Sequence, residues 1–129
     1  MSLMVNVLVN AIKYDGIAIP ISAGETAYFT LAFYNEKGEN VILDAADTLT
    51  FGVKRKYEDS NFIVKKNIST ATDFNGTYPF ILTSAETNIS PGRYYFDVTI
   101  KKSAGVLIRP IQEQQLMIKS SVIKIGDVT

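Results

Sequence analysis

Large side chains recur at every second position along most of this chain, and that period confines it to β-structure. In TAYFTLAFYN, Ala27, Phe29, Leu31 and Phe33 share one face while Tyr28, Thr30, Ala32 and Tyr34 share the other. In TLTFGVKRKYE, Leu49, Phe51 and Val53 alternate with Thr48, Thr50, Gly52 and Lys54. GTYPFILT groups Tyr78, Phe80 and Leu82. GRYYFDVTIKK is the most regular segment, with Tyr94, Phe96, Val98 and Ile100 opposite Tyr95, Asp97, Thr99 and Lys101. The start, MSLMVNVLVN, alternates around Asn6 and Asn10 as a strand does, and FIVKKNI and IAIPI add two more. Pro20 confines IAIPI to an edge or a strand switch, because proline cannot donate a ladder hydrogen bond. QLMIKSSVIKI reads as a long final strand with a bulge.

Turn chemistry separates these segments. The signals are Asp15-Gly16, NEKGEN around Gly38, YEDSN from Tyr57 to Asn61, Asn75-Gly76, Ser90-Pro91-Gly92 and Ser103-Ala104-Gly105. Asn-Gly suits a type I′ hairpin, so FIVKKNI and GTYPFILT are expected to pair across or near it. TSAETN, Thr83 to Asn88, offers a Ser or Thr N-cap with Glu86 behind it, enough for a single helical turn. Glycine at position 52, inside a strand, predicts a bulge or a close backbone approach. Seven to nine short strands without an amphipathic helix imply an all-β, antiparallel two-sheet sandwich, with a small closed barrel as the alternative. Residues 1–129 read as one domain, with the sandwich core at about residues 20–125.

Composition narrows the chemistry. The chain holds 129 residues with no Cys, no His and no Trp. Disulfides, thiol nucleophiles, Cys/His zinc sites and Ser-His-Asp triads are therefore ruled out. Thirteen basic and thirteen acidic side chains leave no net charge to attract nucleic acid or anionic lipid. The lysine runs at Lys54–Lys56, Lys65-Lys66 and Lys101-Lys102 split between two faces of a strand and read as protection against edge-to-edge aggregation. The first 64 residues carry 5 basic and 8 acidic groups and the rest 8 and 5, a mild dipole suited to head-to-tail assembly. The first lysine, Lys13, follows rather than precedes the apolar start, unlike a secretory leader. No window approaches the ~18 apolar residues of a membrane helix. Without an export signal, the sequons at Asn67, Asn75 and Asn88 read as turn chemistry.

Three constellations are candidates for function. Glu36, Glu39, Asp44 and Asp47 form the densest acidic group; it lacks the spacing of a calcium loop and reads as a solvated connection. Glu58 and Asp59 fall in another turn, where Asp bonds nearby backbone. Tyr28, Tyr34 and Tyr95 lie opposite the core stripes, where tyrosine either pairs across strands or awaits a protein or sugar partner. Nothing places two carboxylates in an enclosed pocket, and no catalytic, cofactor or metal residue is expected.

Gly92, Tyr94 and Phe96 match the Gly-x-Tyr-x-Cys run that opens strand F of immunoglobulin-like domains. Tyr94 would form the corner hydrogen bond and Phe96 would fill the volume of the disulfide; an ordinary turn before an alternating strand gives the same spacing. The longer blocks GETAYFTLAFYNEKGENVILDAADTLTFGVKR and ILTSAETNISPGRYYFDVTIKKSAGVLIRPIQEQQLMI extend the likeness. Across roughly residues 20 to 125 the chain resembles the immunoglobulin-like N-terminal domain of upper baseplate proteins from phages of Gram-positive bacteria. The features are a strand ending in a polar-Gly hairpin, the Val41-Ile42-Leu43-Asp44 step, inward Phe51 and Val53, and the Pro91-Gly92-x-Tyr94-Tyr95-x-Asp97 motif. The resemblance implies a non-enzymatic virion component of tail or baseplate, made in the bacterial cytoplasm, that oligomerises or binds other virion proteins. The chain ends soon after the sandwich, so a smaller structural or accessory protein is expected rather than a receptor-protein carrier. A carbohydrate- or surface-binding module of an adhesin is the alternative.

Overall fold

The computed structural model describes residues 3–14, 18–56, 58–70, 77–103 and 105–120. The expected Asp15-Gly16 and Asn75-Gly76 turns, Tyr57, Ala104 and the end of the final segment lie outside them. Nine strands occur among the described residues: β1 (Met4–Val9), β2 (Ile12–Tyr14), β3 (Ile19–Ser22), β4 (Ala27–Tyr34), β5 (Thr48–Lys54), β6 (Val64–Ile68), β7 (Thr77–Leu82), β8 (Gly92–Lys101) and β9 (Leu107–Lys119). One helical turn, α1 (Ser84–Thr87), precedes β8.

The strands form a four-stranded sheet, β2-β1-β4-β7, packed on a five-stranded sheet, β3-β9-β8-β5-β6. This is an immunoglobulin-like order: β1, β4 and β7 take the places of strands A, B and E, and β6, β5, β8 and β9 those of C′, C, F and G. All pairs are antiparallel except one. Strand β3 runs parallel to β9, with Ile19 opposite Leu116 and Ile21 opposite Ile118. That departs from the purely antiparallel expectation because the chain switches sheets after β2 and enters the far edge of the second one. Pro20 sits on that edge, exposed, where no ladder donor is missed.

The period-two stripes meet between the sheets. Ala27, Phe29, Leu31 and Phe33 of β4 and Leu49, Phe51 and Val53 of β5 are all buried, as are Tyr94, Phe96, Val98 and Ile100 of β8. Phe51 is the hinge of this core. Its ring centroid lies 5.3 Å from Phe29 and 4.8 Å from Phe80 in the opposite sheet, and 5.3 Å from Phe96 in its own.

One expected pairing is wrong. Strands β6 and β7 do not form a hairpin; β6 pairs with β5 and β7 with β4, in different sheets. Residues 69–76 separate them, far more than a two-residue turn uses, so the segment has room to cross between sheets. Crossing places Tyr78 against Phe33, at 5.6 Å between centroids, and lets its hydroxyl accept a 2.7 Å hydrogen bond from Leu43 N–H. The bulge expected within residues 115–125 is absent from the described part of that segment, where Gln115, Leu116, Met117 and Ile118 pair in regular register with β8. The register shifts fall earlier in β9, between Ile108 and Gln114, opposite Val98. At Gly52 there is no bulge: its register with Asp97 and Lys65 is unbroken. Nor is the close approach by the expected backbone; a side chain makes it instead, since a Cβ there would lie 2.3 Å from the Phe62 ring.

The cap and the corner are both present. Thr83 and Glu86 close a reciprocal capping box around α1. Tyr94 Oη donates to the Ser90 carbonyl at 2.6 Å, the corner expected of strand F. The Arg55 guanidinium lies 4.8 Å over the Tyr94 ring. Tyr94→Phe keeps the ring and leaves the Ser90 carbonyl without its donor. The expected loss is about 1–2 kcal/mol in urea unfolding, with strand content unchanged by circular dichroism.

Candidate interaction surfaces

The three outward tyrosines do not form one platform. Tyr28 and Tyr34 project from β4 on the outer face of the four-stranded sheet, and Tyr95 projects from β8 on the outer face of the other sheet. Tyr28 is 57% exposed, whereas Tyr34 and Tyr95 are half-buried. Gly92, Tyr94 and Phe96 serve the corner and the core, and touch no surface site.

The acidic group also divides. Asn35 organises the start of the β4–β5 connection, its Oδ1 accepting from Lys37 N–H at 2.9 Å and Glu39 N–H at 3.0 Å, with Gly38 at φ 78°. Glu36, Glu39 and Asp44 are exposed in this connection. Asp47 is not solvated as expected. Its side chain is 1% exposed and its Oδ2 accepts from Lys102 Nζ at 2.9 Å and from Asp44 N–H at 3.2 Å. Burial alone pushes the Asp47 carboxyl up, but the Lys102 hydrogen bond and the Asp44 N–H outweigh it and hold it below the usual aspartate range. The pair ties the β4–β5 connection to the β8–β9 connection. Among the described residues, no group of three or more acidic side chains comes together to hold a metal ion. In the neighbouring turn, Asp59 Oδ2 accepts from Lys56 N–H at 3.1 Å, as the turn chemistry predicts.

The two outer sheet faces differ in chemistry. On the four-stranded sheet, register aligns Tyr28 with Ile81, Leu8 with Thr30 and Pro79, Asn6 with Ala32 and Thr77, and Met4 with Tyr34. None of these ten side chains on β1, β4 and β7 is charged at neutral pH. Tyr28 and Ile81, 43% exposed, are cross-strand neighbours. Lys13, on β2 beside Leu8, marks one border of the face. The other border is β7, where Lys66 Nζ reaches across from β6 to the Ile81 carbonyl and to Glu86 Oε1 at 2.8 Å. Desolvation pushes Glu86 up, and its bonds to Lys66 and Thr83 more than reverse that.

The outer face of the five-stranded sheet is basic. Alternation brings Lys54, Lys65, Arg93, Lys101 and Lys119 to it, with Asp97 as its acid among the described side chains. Phe62 folds over Gly52 at its centre, with Lys54 Nζ 4.7 Å and Lys65 Nζ 5.8 Å from the ring centroid. Phe62 and the Asp47–Lys102 pair are features that sequence reading missed. Gly52 was the available signal for the first; nothing local marks the second.

All four sheet edges are blunted. Strand β3 carries Pro20, β2 spans three residues, β7 carries Pro79 with its Ile81 carbonyl capped by Lys66, and β6 carries Lys65 and Lys66. Strand addition is therefore disfavoured, and contact through a face is left. Among the described residues, no helix is long and apolar enough to cross a membrane. No protein-family model and no curated protein matches the chain.

Proposed function

We propose that this chain is a non-enzymatic assembly module of a phage or prophage particle, placed in its tail or baseplate, that works by burying a sheet face against another protein. The observation that carries this reading is the uncharged outer face of β1, β4 and β7 on a chain in which one residue in five is charged. Covering such a face desolvates no charge, while the blunted edges direct contact to the face itself. The particle assignment rests on the resemblance of residues 20 to 125, and the immunoglobulin-like strand order and the Tyr94 corner agree with it.

For the carbohydrate- or surface-binding alternative, Tyr28 and Tyr34 share the outer face of β4 while Tyr95 lies on the opposite sheet, so the three do not line a single site. Particles induced from the bacterium that encodes the chain, purified on a density gradient and analysed by mass spectrometry, test the proposal. The chain is expected in the particle fraction in a fixed ratio to the tail proteins. Recovery only in the soluble lysate would overturn it.

A further inference from the structure

We infer that the uncharged face of β1, β4 and β7 packs against the same face of a second copy of this chain, giving a closed two-fold dimer. The inference rests on the reading of that face as the working surface and names its partner.

Charge selects the occupant. A partner bringing Lys, Arg, Asp or Glu onto this face would bury it opposite side chains that offer no counter-charge, an unfavourable exchange. The occupant must therefore be uncharged over the same footprint. Of the two outer sheet faces of this chain, one meets that condition; the other sets five cations against one acid and repels its own copy. Pairing like face with like face is an isologous contact, which closes at two subunits instead of growing into a filament.

Area sets the strength. Strand β4 contributes eight residues, and three strands side by side give a patch of about 26 Å by about 14 Å, bounded at β2 by Lys13. Two such patches come to roughly 700 Å² before side-chain relief, below the low end of specific interfaces, about 1,200 Å² in total, so the dimer is weak and concentration-dependent.

Sedimentation equilibrium of the full chain tests this from about 1 µM to about 1 mM, at about 0.15 M and about 0.5 M NaCl. The expected result is a monomer–dimer equilibrium with a dissociation constant on the order of 10–100 µM, unchanged by salt. Thr30→Glu, at the centre of the face, is expected to weaken it at least ~10-fold, because each copy then buries an unpaired carboxylate. Lys65→Glu, on the opposite sheet, is expected to leave it unchanged. Thermal melts of both variants confirm that they fold.

A monomer at every concentration would overturn the inference. So would oligomers that dissolve in salt, which mean a charge-driven contact, or a dimer lost in Lys65→Glu and kept in Thr30→Glu. A monomeric chain still recovered in particles, with Thr30→Glu excluded from them, would retain the proposed function and assign the face to a different protein. A dimer absent from particles would do the reverse.

Discussion

Phe51→Ala is expected to destabilise the protein by about 3–5 kcal/mol, the largest effect of any single truncation in this core. The ring has no exposed surface and touches Phe29 and Phe80 across the sandwich as well as Phe96 beside it. Removing it opens a void against three other rings, each held by its own strand, so the site cannot collapse without moving a sheet. The lost offset and tilted ring contacts add to the transfer term. Urea unfolding followed by far-ultraviolet circular dichroism measures the change. A loss under about 1.5 kcal/mol would mean that the two sheets are not joined through this ring. At this size, 1 kcal/mol corresponds to roughly 3–5 °C in melting temperature, so the variant should melt at least about 10 °C lower.

Lys102→Met comes second, with an expected loss of about 2–3 kcal/mol at neutral pH. Methionine retains most of the aliphatic stem, so the change isolates the ammonium. The buried Asp47 carboxylate is then left with the Asp44 N–H and without its cation. The loss sits between a typical charged hydrogen bond and a fully buried ion pair because Lys102 remains one-third exposed. The effect depends on pH in a set direction. In the parent the folded-state pKa of Asp47 is depressed, so the pair's contribution is complete above the unfolded-chain aspartate value and fades as pH falls through the folded one. In the variant, burial acts on Asp47 without Lys102 and raises its pKa. Parent and variant should therefore differ most near neutrality and converge only once pH has fallen through the parent's depressed folded-state value, below the ordinary aspartate range, where the carboxyl is protonated in both. Chemical denaturation at several pH values reads this directly. A difference independent of pH would show that Lys102 acts through its stem alone.

How far the sequence carried depended on the range of the interaction. The stripes of β4, β5 and β8 were legible because a period of two is local and each stripe had one face to bury. The Thr83–Glu86 cap and the Tyr94 corner were legible for the same reason, since their partners lie three and four residues away. Strand partners were less accessible. The segments that became β6 and β7 are neighbours in the chain, and the Asn-Gly signal between them favoured a hairpin. Strand β7 instead lies in the other sheet, where Tyr78 and Leu82 complete the face of β4.

The surfaces were harder still. Asp47 read as one acid among four in a loop, because the cation that accompanies its burial lies 55 residues further on. Phe62 belongs to no strand and carries no period. The uncharged face is assembled from β1, β4 and β7, three segments far apart in sequence, and no one of them is unusual alone. Only the sheet order sets ten uncharged positions side by side and gathers the lysines of β5, β6 and β8 on the opposite side.

The account turns on which face is covered, and residue-resolved carbene footprinting reads that most directly. The purified chain at low concentration would be compared with the same chain in its assembled state, either as concentrated protein or within the particle. Protection is predicted along Tyr28–Tyr34 of β4 and Thr77–Leu82 of β7, with labelling of Lys54 and the Phe62–Lys65 segment unchanged. Protection centred on Phe62 and the lysines around it, with β4 still labelled, would contradict the account.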